Sequence, residues 1–198
     1  MEENDWILPL NVSEIPPIFR SDDTGEPFSN CIKCDRYLLD EGTLYLIEKA
    51  FKSYVGFDSR TTIFEYAMCM DCVQDMQKEL SVSSRNNIDA FFAKQTDFDE
   101  RRERLKDNWD VQNWIQNCIV TDNKPVEGGE FQIYGQCDGA HFMYYDFPYM
   151  ISGEVIDQMI DLMSDKTIDE LNNFKNNITQ GPPEFQELLN SGGVRVFV

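Results

Sequence analysis

Two C-x-x-C steps, Cys31-Ile-Lys-Cys34 and Cys69-Met-Asp-Cys72, constrain this chain more than anything else in it. Within one step both sulfurs can reach a single point, and two steps together offer four thiolates, the set that holds structural zinc in a tetrahedron. The steps meet only if the segment between them goes out and comes back. Its pattern is that of a β-hairpin. Leu44 and Leu46 alternate with Tyr45 and Ile47, and Thr62, Phe64, Tyr66 and Met68 recur at a spacing of two, with turn chemistry between them in Gly56, Asp58 and Ser59. After the second step the period changes: Val73, Met76 and Leu80 fall at helical spacing, so a helix over Cys69 to Leu80 is expected.

This order of a C-x-x-C turn, a hairpin and a second C-x-x-C opening a helix resembles the treble-clef zinc finger over about residues 29–82. The resemblance lies in motif order. It implies that Cys31 and Cys34 sit in a knuckle, with Cys69 and Cys72 at the first helical turn, where orphan N–H groups and the positive end of the dipole favour thiolate. The chain departs from the pattern in a long hairpin and little basic charge. Four cysteine ligands leave no position for water, so the expected cofactor is one structural Zn2+ per chain and not a catalytic metal. Ordinary buried cysteines, or a redox dithiol, are the rival readings; a redox pair normally stands alone beside a βαβ pattern.

Residues 1–29 read as an irregular acidic arm broken by Pro9, Pro16, Pro17 and Pro27. The zinc module and a helical extension occupy 30–117. There Ile88, Phe91 and Phe92 form a helical group behind Ser84 to Asn87, and 98–117 reads as charged and helical, with Val111, Trp114, Ile115 and Cys118 on one face. Arg101, Arg102, Arg104 and Lys106 alternate with Glu100, Glu103 and Asp107 and read as a solvated face. In 118–198, strand material at Phe131 to Cys137 and Phe142 to Tyr145 precedes helical groups at Val155 to Met163 and Ile168 to Phe174. A Thr167/Glu170 pair at capping-box spacing introduces the second group. Pro182 and Pro183 then separate it from a short helix, Glu184 to Leu189, and a strand, Val194 to Val198. The expected class is α+β, with these parts packed as one body.

Cys118-Ile-Val-Thr121 and Cys137-Asp-Gly-Ala140 repeat the C-x-x step with Thr and Ala in place of the second cysteine. Residues 118–163 therefore read as a second, metal-free copy of the same unit, its core packed by Phe131, Ile133, Phe142, Tyr144 and Met159. A competing reading gathers Cys118, Cys137 and His141, the single histidine, around a second zinc with an open position.

The formal net charge is −19, with the acidity concentrated at both ends. Phosphate backbones are bound by Lys and Arg, so this charge opposes direct nucleic-acid binding. It suits electrostatic steering toward a basic protein, as an immunity or inhibitor-type protein would use. No G-x-S-x-G, phosphate-cradling glycine loop or H-E-x-x-H is present, so the sequence offers no catalytic residue and a non-enzymatic role is expected. A zinc-finger-type nucleic-acid-associated protein and an enzyme of another kind are the alternatives. The acidic start MEENDWILPL and the lack of a long apolar run point to a soluble, cytoplasmic protein without membrane contact.

Overall fold

The computed structural model describes residues 11–178. The helix expected at Glu184 to Leu189, the strand at Val194 to Val198 and the first ten residues of the arm lie outside them. The class is α+β: helices accompany one six-stranded sheet in which every strand pairing is antiparallel.

The arm is less irregular than its prolines imply. Asn11–Glu14 forms β1, and Pro17–Phe19 makes one 3-10 turn in which Pro17 supplies a preset φ at the start. The hairpin follows as β2 (Leu44–Tyr54) and β3 (Phe57–Cys69), joined by Val55 and Gly56 alone. Gly56 has φ +78°, a conformation that side chains resist, so the turn falls there. Asp58 and Ser59, expected in the turn, belong to β3, where they fall in the register shift between Ser53–Arg60 and Tyr54–Phe57.

Beyond β3 come α1 (Met70–Glu79), α2 (Val82–Gln95), α3 (Phe98–Leu105) and α4 (Val111–Ile115). The stretch 98–117 is thus two helices. Asp110 accepts a hydrogen bond from the Gln112 N–H and starts α4 afresh. The second half adds β4 (Glu130–Asp138), β5 (His141–Tyr144), β6 (Tyr149–Ser152), α5 (Gly153–Asp161) and α6 (Asp165–Ile178). Ser164, not Thr167, caps α6: its Oγ accepts the Thr167 N–H, so Thr167 stands inside the first turn.

Strand order is β1-β5-β4-β2-β3, with β6 also on β4, beyond the stretch paired to β5. Alternation along β2 divides the molecule. Leu46 and Glu48 turn toward α1, α2 and α5, whereas Lys49 and Phe51 turn toward the arm. The arm is anchored in two ways. Phe19, fully buried, packs on Phe142 in a tilted pair with centroids 4.7 Å apart, in a space that exists because Gly135 has no Cβ. Lys49, also fully buried, holds Asp22 at 2.6 Å, Glu65 at 2.7 Å and the Arg20 carbonyl at 2.7 Å.

Arg101 corrects the reading of its helix as a solvated face. It is buried and donates to the carbonyls of Trp114, Asp146 and Pro148, fastening α3 to α4 and to the segment before β6. Burial brings its pKa down to about 10, still well above neutrality.

Candidate metal centre

Backbone geometry places the first cysteine pair. The N–H of Cys31 bonds the Arg36 carbonyl at 2.8 Å and the N–H of Asp35 bonds the Cys31 carbonyl at 2.9 Å, closing a tight loop over 31–36. Asp35 takes φ +59° to allow it, which Asp tolerates better than most residues. The loop is tied to the end of the hairpin, where the Ile32 N–H reaches the Ala67 carbonyl at 3.0 Å.

The second pair comes from the strand-to-helix junction. Cys69 ends β3 and is the N-cap residue of α1, and Cys72 lies in the first turn. Because β3 pairs with β2 up to Tyr45–Cys69, the hairpin returns its end to the knuckle. The Cys69 N–H points at the Cys31 sulfur, 3.4 Å away.

The four sulfurs all lie within 4.8 Å of one another, and this is the one group of three or more potential ligands that close among the described residues. Cys34 Sγ and Cys69 Sγ are 3.7 Å apart, far beyond a disulfide but near the edge of about 3.8 Å that a tetrahedron of 2.3 Å metal–sulfur bonds requires. Cys31, Cys69 and Cys72 are buried and Cys34 is exposed. These four cysteines could therefore hold a metal ion.

Their electrostatics show what the cluster lacks by itself. Burial opposes ionisation of Cys31, but N–H groups of Cys69, Cys34 and Lys33 directed at its sulfur outweigh it and bring its pKa to about 7. Cys69 and Cys72 are pushed up, by burial first and then by neighbouring thiols. Four thiolates cannot crowd together unless a cation stands between them, and a divalent ion reverses the cost. Outside the cluster, Arg36 pairs with Asp71 at 2.6 Å and Lys33 with Glu79 at 3.4 Å, joining the knuckle to α1 at the surface.

The other sequence candidates do not converge. Cys137 sits in mid-sheet opposite Tyr45 and Phe142, fully buried, and burial raises its pKa to about 12. His141 is exposed, and Cys118 lies in a loop bridged to Met150. They form no second ligand group among the described residues.

One feature was not expected from sequence. Glu48, 2 % exposed, accepts hydrogen bonds from Tyr66 and, at 3.4 Å, from Tyr134, whose hydroxyl also donates to Gln132 at 2.6 Å. Glu48, Tyr134 and Tyr149 line an open cavity of about 370 Å³ that Ile88 and Phe92 of α2 and Met159 of α5 also border. The available signal was a carboxylate in the apolar run Leu44 to Phe51, too slight to distinguish it from an exposed strand position. No family model, curated protein or solved structure matches this chain at a significant level.

Proposed function

We propose that this is a non-enzymatic protein stapled by one structural Zn2+ on Cys31, Cys34, Cys69 and Cys72, acting through contact with a basic partner protein. The cysteine cluster supports the metal part: four sulfurs within 4.8 Å of one another suit zinc and leave it no open position for chemistry. The order of knuckle, hairpin and α1 supports a treble-clef-like module, and the metal-free second unit expected at 118–163 belongs to the same proposal, with different counterpart residues.

The net charge of −19 carries the partner part. Such a surface accelerates encounter with a positively charged protein and repels a phosphate backbone, which suits an immunity or inhibitor-type role. All six cysteines are unbridged, which suits a reducing compartment such as the cytoplasm. Among the described residues no helix is long and apolar enough to cross a membrane.

The test is capture by the tagged full chain. Basic proteins retained near 0.05 M salt and released by about 0.5 M are expected, since surface attraction is screened over that range. Salt-sensitive retention of the chain on immobilised DNA would instead support the nucleic-acid alternative. The enzyme alternative rests on the cavity beside Glu48 and would require a turnover that Glu48→Gln abolishes.

A further inference from the structure

Two loops far apart in the chain share one hydrogen-bond pattern, residue for residue. In the first, the Cys31 N–H bonds Arg36 O, the Asp35 N–H bonds Cys31 O, and the Ile32 N–H reaches Ala67 O. In the second, the Cys118 N–H bonds Asn123 O, the Asp122 N–H bonds Cys118 O, and the Ile119 N–H reaches Met150 O. Asp35 and Asp122, at φ +59° and +53°, are the two non-glycine residues with positive φ among those described. The Cys31 sulfur receives the Cys69 N–H at 3.4 Å, and the Cys118 sulfur receives the Ser152 N–H at 3.4 Å. Cys69 ends β3 and is the N-cap residue of α1; Ser152 ends β6 and is that of α5.

The likeness extends through the rest of both halves. Tyr45–Cys69, Ile47–Ala67 and Glu48–Tyr66 of the first hairpin correspond to Phe131–Ser152, Ile133–Met150 and Tyr134–Tyr149 of the second. The helices α2 and α6 begin after Ser81 and Ser164. These two ends meet. Ser81 N–H donates to Thr167 Oγ1 at 3.0 Å and Ser164 N–H donates to Ser84 Oγ at 2.9 Å, bonds that exchange when the halves are swapped. Ser164 Oγ and Ser81 Oγ touch at 2.9 Å. In the sheet, Glu48 lies opposite its own counterpart Tyr134 in the β2–β4 pairing. A two-fold axis through both places accounts for all of these contacts.

We infer that residues 117–178 are a second copy of the unit at 30–95, related by this pseudo-two-fold axis, and that Cys118, Thr121, Ser152 and Val155 mark a second metal position from which three of four ligands are gone. Their burial runs buried, exposed, buried, buried, as it does for Cys31, Cys34, Cys69 and Cys72. Cys137 is not a ligand position in this scheme. The correspondence steps from 87 positions at the knuckle to 86 in the first strand and 83 from the second strand onward, which hides it from any fixed-spacing comparison.

The test restores the missing ligands in the full chain as Thr121→Cys, Ser152→Cys and Val155→Cys together. Metal analysis after loading with Zn2+, and the thiolate-to-cobalt absorption after loading with Co2+, should both give one ion more per chain than the native protein. Thr121→Cys with Ala140→Cys, which completes the two steps suggested by spacing alone, should add none. A folded triple variant with no added ion would overturn the inference. Zero ions in the native chain and one in the triple variant would sink the zinc reading of the first site but uphold the second position. If the triple variant does not fold, a crystal structure of the native chain decides, because the halves either superpose under these offsets or do not.

Discussion

Cys69 and Cys118 share burial but differ in consequence. Both residues are buried, yet one belongs to a set of four sulfurs and the other receives Ser152 N–H with no second sulfur in a close group. Cys69→Ser should therefore release the ion and destabilise the fold by about 3 kcal/mol or more, roughly 10 °C in Tm for a chain of this size. Cys118→Ser should leave metal content unchanged, and metal analysis with thermal melts separates the two. Asp22 gives a pH-dependent case. Partial burial works against its charge, but Lys49, Thr62 and Arg60 hold its pKa below the usual carboxylate value. Its contribution is thus fully present above about pH 4, the unfolded value, and is lost as pH falls through the lower folded value. Asp22→Asn should flatten the acid limb of stability against pH; an unchanged limb would remove Asp22 from the cause. At this scale the first site was legible because thiol spacing is a covalent fact of the chain. The counterparts inferred at Ser152 and Val155 were not, since neither is a ligand type and small length differences shift the register.

The hairpin and helices were legible from periodicity, and their ends were not, because caps decide the ends. Ser81 begins α2 by accepting the Ser84 N–H at 3.1 Å and also contacts Ser164 across the seam. Ser81→Ala should cost about 1–2 kcal/mol in chemical denaturation, whereas Val82→Ala, at a neighbouring position 62 % exposed, should stay within about 0.5 kcal/mol. Equal effects would remove the cap as the cause of the loss. Helices α2 and α6 also differ in how they pack. In α6, Leu171 is buried and Phe174 meets Tyr66 edge-on at 5.5 Å. In α2, only Ser84 is buried, and the cavity beside Tyr149 lies under Ile88 and Phe92. Leu171 corresponds to Ile88 under the two-fold inferred above, and the cavity marks a difference between the two helices.

The whole molecule is acidic, with a sheet shared by both halves and the cysteine cluster in one of them. Charge and class were legible from composition and pattern; the joining of β2 to β4 was not, because a non-local pairing leaves no periodic trace in the sequence. If the metal staples the first half, a strong chelator should lower the melting temperature, and zinc alone should restore it. X-ray absorption at the zinc edge of the purified native chain, together with total metal content, tests the cysteine cluster most directly. One zinc per chain with four sulfur neighbours at about 2.3 Å is expected. A chain without bound ion, or zinc with nitrogen or oxygen neighbours, would contradict it.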